Sequence, residues 1–291
     1  MTSMLTIYKI LKFVFRYLIP DPLRYPLARL MARGICFINR RRRQVIIRNL
    51  APVIGSDRAA ALAPVLLGHF SMTAVDFFCP PGGRGSPLLS GSPRNLAVRM
   101  KEENWPAVDK AYRKSRRLMF LTAHIGNWEL GISYLVEKGF SVACVYAPYR
   151  ADDIVRWIMS HRNPEVEWIP SMRGAAAASV SALERGRVLG MAADIPFGEK
   201  GHRVRICGAS AHLPLGPWAI ASRARATVIP AFILREKPGQ YRITFHDPIL
   251  PREGSLRKQM EESQEIYRGH LERYLRQTPE QWGVLQPFWD S

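Results

Sequence analysis

Cysteine is scarce in this 291-residue chain. Cys36, Cys79, Cys144 and Cys207 fit no zinc-ligand spacing and no disulfide framework. Their sparsity points to a reducing compartment. His69, His161, His202, His246 and His270 also lack metal-ligand spacing. There is no phosphate-binding G-x-x-x-x-G-K, no G-x-G-x-x-G and no G-x-S-x-G elbow. These absences weigh against P-loop hydrolysis, dinucleotide binding and serine-esterase chemistry. No uninterrupted apolar run reaches the ~18 residues of a confident membrane span. No small-residue cleavage site follows a clean apolar core, so the N-terminus does not read as a signal peptide. Acid is short as well: 24 Asp and Glu stand against 42 Lys and Arg, a net charge of +18. That excess calls for an acidic partner such as nucleic acid, anionic lipid, a phosphorylated sugar or an acidic carrier protein. No nucleic-acid-binding signature accompanies it, and no nucleic acid is expected.

What is present begins with a greasy N-terminus. Met4 to Ile19 is apolar apart from Thr6, Lys9, Lys12 and Arg16, which recur at three- and four-residue spacing. This reads as a helix with one narrow polar stripe, able to lie in a membrane interface with its cations snorkelling to headgroups. The bland alternative is an ordinary amphipathic helix packed on its own domain. Residues 1–50 hold eleven Lys/Arg and one acid, Asp21, with Arg40 to Arg43 unbroken. A basic run beside an apolar helix suits the cytoplasmic face of an anionic bilayer. Residues 1–45 are therefore expected to form a membrane-attachment segment, and 46–291 a catalytic domain.

Ala59–Phe78 reads as helix, and Cys79–Arg94, rich in Pro, Gly and Ser, as a loop or flap. From residue 118 onward strand and helix patterns alternate. Strands are expected at Leu118–Ala123, Val142–Tyr146, Val188–Ala193, Thr227–Leu234 and Tyr241–Phe245. Helices are expected at Glu129–Lys138, Asp152–His161, Gly174–Arg185, Pro217–Arg225 and Ser255–Gln277. The alternation predicts an α/β fold, with a mixed or mostly parallel central sheet flanked by helices.

The densest chemistry lies in Leu118–Leu130, LMFLTAHIGNWEL. An apolar strand ends on His124, Gly126 and Asn127 suit a tight turn, and Glu129 opens a helical pattern. A carboxylate that fixes an imidazole's tautomer and stabilises its protonated form makes it a general base. Spacing alone leaves a buried histidine beside a helix-start acid as an equal reading.

His-x4-Glu in this setting resembles the late acyltransferases of lipid A biosynthesis, within the wider lysophospholipid acyltransferase superfamily. Arg48-Asn49-Leu50, Gly186–Asp194, Ala226–Phe232 and Pro279–Trp289 resemble further blocks of that family, in its order. The chain departs from the pattern at Ala123, at Ile195 after Asp194, and at Ile206-Cys207-Gly208. The resemblance implies acyl transfer from an acyl-carrier protein or acyl-coenzyme A thioester to a hydroxyl of a membrane lipid or glycolipid. His124 would be the base and Glu129 its partner. No metal or bound cofactor is implied. The implied place is the cytoplasmic face of the bacterial inner membrane.

Four further residues are candidate substrate-binding groups. Asp194 ends an apolar strand and is placed in the site by the resemblance; alternatively it only initiates the turn before Pro196. Arg150 and Arg162 flank the helix after the second strand, and Arg203 follows Asp194. Each could bind a phosphate or stand as a solvated surface arginine. A catalytically inactive lipid-binding homologue and a basic nucleic-acid-binding protein are the competing functional classes.

Overall fold

The computed structural model describes residues 4–79, 100–148, 152–196, 201–250 and 255–290. Arg150 and almost all of the Cys79–Arg94 segment lie outside the described residues. The N-terminal third is helical: α1 (Met4–Phe13) runs into a π turn (Val14–Leu18), followed by α2 (Asp21–Ile38), α3 (Arg40–Ile54) and α4 (Ser56–Phe78). Then come β1 (Met100–Glu103), α5 (Trp105–Lys114), β2 (Leu118–Thr122), α6 (Trp128–Glu137), β3 (Val142–Tyr146), α7 (Asp152–Met159), β4 (Glu167–Pro170) and α8 (Ala175–Glu184). The remainder is β5 (Val188–Ala192), β6 (His202–Ile206), β7 (Ala209–Leu213), α9 (Gly216–Ala224), β8 (Thr227–Lys237), β9 (Gln240–Phe245) and α10 (Leu256–Gln277).

Seven strands form one sheet in the order β1-β9-β8-β2-β5-β3-β4. Every pair is parallel except the β8–β9 hairpin. Central strands covered on both faces need near-continuous apolar residues, and β2 supplies them from Leu118 to Leu121. Met119 and Leu121 join the core that contains Trp218, Tyr267 and Trp282. Leu118 and Phe120 join the opposite core with Tyr134, Leu135 and Phe245. Alternate side chains thus bind helical layers to both faces, the expected α/β arrangement.

All five expected strands appear, as β2, β3, β5, β8 and β9, within a few residues of their predicted ends. The structure adds β1, α5, β4 and a separate β6–β7 hairpin. Arg203 lies on β6, in that hairpin.

α2 and α3 pack on α4 through Ala32, Cys36, Ile46, Leu50 and Leu66. α4 is long and apolar enough to cross a membrane by length and composition, yet half of that window is buried inside the protein. The end of the π turn is tied down by Arg24, which donates to the Arg16 carbonyl at 2.8 Å and the Ile19 carbonyl at 3.1 Å. α1 does not keep its whole polar stripe in water. Lys12 turns inward and bonds His161, while Tyr8 stacks on Trp157. Ile7, Ile10, Phe13, Tyr17 and Leu18 are left exposed. Of the fifteen exposed large apolar side chains among the described residues, eleven lie between positions 7 and 38. The exposed apolar surface is thus concentrated on α1, the π turn and α2.

Candidate active site

β2 and β5 are neighbours, with Phe120 opposite Gly190 and Thr122 opposite Ala192. The ladder carries one step further, the Ala193 N–H donating to the Thr122 carbonyl at 2.8 Å. The next residues out, His124 and Asp194, therefore leave the sheet side by side, where open α/β sheets place their sites. The His124 backbone N–H donates to Asp194 Oδ2 at 3.0 Å, and the ring Nδ1 meets Oδ1 at 2.8 Å. Trp282 adds an indole N–H to Oδ2 at 3.3 Å. Asp194 is fully buried, while the His124 side chain retains 23% exposure. A carboxylate at Nδ1 fixes that nitrogen as the donor and leaves Nε2 to accept a proton.

Burial works against the imidazolium, but the charge and hydrogen bond of Asp194, with a weaker contribution from Glu129, outweigh it. The His124 pKa therefore lies above the ordinary histidine value. Burial likewise disfavours the Asp194 carboxylate, and His124 and Trp282 more than compensate, holding its pKa below the usual range.

Glu129, read from the sequence as the group that holds the imidazole, makes no hydrogen bond to it. Its Oε1 accepts from Arg162 Nη2 at 2.6 Å instead. The reason is geometric: by the fifth residue the chain has crossed the turn into the first turn of α6. Asp194, read as a substrate-binding group, is buried against the imidazole Nδ1 and does not line the cleft. Arg162 does reach the site, stacked 4.3 Å over the Trp168 ring. Arg203 is engaged by Asp290 at 3.1 Å and does not line the cleft. Among the described residues, no group of three or more His, Cys, Asp or Glu is placed to hold a metal.

His124, Glu129 and Arg162 open onto a cleft of about 400 Å³. Its other walls are largely apolar, including Phe70, Ile132, Val145, Trp168, Met191 and Ile195. This suits a hydrocarbon chain running past one basic nitrogen and one ion pair.

Two clamps hold the turn between β2 and α6. Gly126 has φ +66°, and a Cβ there would sit 1.7 Å from the Ile233 carbonyl oxygen. Only glycine serves, because the backbone of β8 closes directly on it. The Gly126 N–H donates to the Gln281 carbonyl at 2.8 Å, and the Gly283 N–H to the His124 carbonyl at 2.6 Å. From the other side, Asn127 donates to the buried Asp76 at 3.1 Å. Asp76 accepts from Arg235 Nη1 at 2.8 Å and also bonds Tyr25 and Tyr241. The sequence reading missed this network. Its one signal was an acid, Asp76, set in the apolar run Val75–Phe78.

The segment 281–289 is anchored by Asn49, which is 2% exposed. Its Nδ2 donates to the Val284 and Gln286 carbonyls at 3.0 and 2.8 Å, and its Oδ1 accepts from the Phe288 N–H at 3.2 Å. Asn49→Ala leaves three backbone groups without their partner. An unsatisfied buried group costs about 1–3 kcal/mol, and partial relaxation brings the expected loss of folding stability to about 2–4 kcal/mol. Urea unfolding measures it. A loss below about 1 kcal/mol would show that the clasp is dispensable.

A family model described as bacterial lipid A biosynthesis acyltransferase matches residues 3–291. No curated protein matches the chain.

Proposed function

The chain belongs to the bacterial lipid A biosynthesis acyltransferase family, and from that premise we propose that it transfers a fatty acyl chain from a thioester to a hydroxyl of an anionic membrane glycolipid, with His124 as base. The observation that carries this reading is the His124–Asp194 pair at adjacent strand ends, opening onto an apolar cleft. Nε2 takes the hydroxyl proton as the acceptor oxygen attacks the thioester carbonyl. The C–S bond then breaks, the imidazolium returns the proton to the departing thiolate, and an ester and a free thiol result. Asp194 stabilises the transient positive ring. Glu129 adds a second negative charge and holds Arg162 at the cleft, where the guanidinium faces an acceptor phosphate. α6 begins without a side-chain cap, so its first amides are the donors at hand for the oxyanion. This scheme uses no metal or bound cofactor. The donor is acyl-carrier protein or acyl-coenzyme A.

Lipid mass spectrometry of cells with and without the gene tests the reading. It expects one acyl chain to disappear from a glycolipid, and purified protein to restore that chain from an acyl thioester. Unchanged lipids together with no turnover on either donor would leave an inactive lipid-binding homologue.

The same reading places the protein on the cytoplasmic face of the inner membrane, with the exposed face of α1 and α2 in the interface. Burying one large apolar side chain is worth about 1.5–3 kcal/mol. Ile10→Asp with Phe13→Asp is therefore expected to weaken vesicle binding by about a hundredfold or more. Unchanged flotation with vesicles would remove α1 from the membrane contact.

A further inference from the structure

A second cavity, of about 220 Å³, lies between α2, α4 and the tip of the β8–β9 hairpin, and it shares no wall with the cleft. α4 separates the two: Phe70 lines the cleft, while His69 and Met72 line this cavity. Arg29 and Arg33 form one wall and Lys237 another. No carboxylate pairs with any of these three cations among the described residues. Among the described residues the one side-chain hydrogen bond of Arg29 goes to the Met72 sulfur at 3.2 Å, a weak acceptor. The other charges at the cavity are satisfied, Arg235 by Asp76 and Glu236 by Arg242. Burial, with Arg235 and Arg29 nearby, lowers the His69 pKa to about 4, so the ring is neutral. Its Nδ1 is buried and unpartnered.

Arg29, Arg33 and Lys237 are exposed, so water screens much of their mutual repulsion, and an anion held between them removes what remains and gains three cationic partners. The surroundings identify its carrier. Leu23, Leu30 and Phe37 recur every seven residues along the outward face of α2, each more than half exposed. Arg29 and Arg33 sit on the flank of that face, as headgroup-level arginines do on an interfacial helix. We propose that this cavity binds the phosphate of an anionic phospholipid, with the lipid's acyl chains lying along the exposed face of α2. The ligand is a structural lipid of the surrounding membrane, separate from the acyl acceptor, and its binding does not depend on acyl transfer.

Native mass spectrometry of the detergent-solubilised full chain tests this, with added phosphatidylglycerol or phosphatidylcholine. One phosphatidylglycerol is expected to be retained, at least about tenfold more tightly than phosphatidylcholine. A basic residue at a lipid surface contributes roughly fivefold. Arg29→Gln with Arg33→Gln is thus expected to weaken retention by at least about tenfold, and Lys237→Gln, on a separate element, by about fivefold. Arg41→Gln with Arg42→Gln removes equal charge elsewhere and is expected to change retention by less than about twofold, as is Arg162→Gln in the cleft. Equal losses in the Arg41/Arg42 variant would reduce the effect to net charge. Loss in Arg162→Gln would move the lipid to the cleft, and full retention in the Arg29/Arg33 variant would empty the cavity; each overturns the proposal. Glycerol 3-phosphate that displaces the lipid at equal concentration would make a free phosphate the ligand, and overturns it too.

Discussion

Replacing His124 by asparagine is expected to lower acyl transfer by about 10²–10⁴-fold while leaving the melting temperature nearly unchanged. Positioned general bases supply rate factors of this size, equivalent to about 2.7–5.5 kcal/mol of transition-state stabilisation. Asparagine is chosen because its Nδ2 stands where the imidazole Nδ1 stands and can still donate to Asp194 Oδ1, so the buried carboxylate keeps a partner. The loss should fall on kcat with KM little altered, because the imidazole acts as the oxygen attacks rather than when substrate binds. Single-turnover transfer from an acyl thioester gives the number directly. Near-normal turnover would remove His124 from the chemistry.

Asp194→Asn should be almost as damaging, by about 10²–10⁴-fold, and should also carry a signature in pH. The imidazole works as a base only when neutral. With its pKa raised by Asp194, activity rises with pH through a midpoint above the ordinary histidine value of about 6.5. An asparagine removes the charge that raises the pKa while burial remains, so the midpoint moves to lower pH. An amide N–H facing Nδ1 would also put the ring proton on Nε2, the tautomer that cannot accept. The variant is therefore slow even where the ring is neutral. Glu129→Gln is the control. Glu129 bonds Arg162 rather than the ring, so its substitution should shift the acid limb less than Asp194→Asn does. A larger shift in Glu129→Gln would make Glu129 the working partner of the imidazole.

The partner of His124 shows where the sequence stops informing. β2 and β5 are legible because they are short, unbroken apolar runs, and each visibly ends on a polar residue. That His124 and Asp194 meet depends on β5 lying next to β2, a consequence of sheet order that no local pattern of residues carries. Glu129 was the nearer carboxylate in sequence, and proximity along the chain favoured it. β1 escaped notice for another reason: MKEE is an edge strand with an exposed middle, and such strands lack apolar alternation. The β6–β7 turn was open to reading. Cys207 and Gly208 both have positive φ, the requirement of a two-residue hairpin turn, and the glycine is its usual mark. The Asp76–Arg235 network joins residues 159 apart, so its two halves could be noticed separately but not paired.

The Asn49 clasp sets an order of events during synthesis. Asn49 is made early, with the helices that carry the apolar outer face, but its partners Val284 to Phe288 leave the ribosome some 235 to 239 residues later. At about 5–20 residues per second, that gap lasts roughly 12–48 s. In its later part, once each has been made, the His124 carbonyl lacks the Gly283 N–H and Asp194 lacks the Trp282 indole. On the proposed function, a nascent chain would meet the bilayer well before its base is held in place, and an elongation arrest ahead of codon 282 would leave a docked but idle protein.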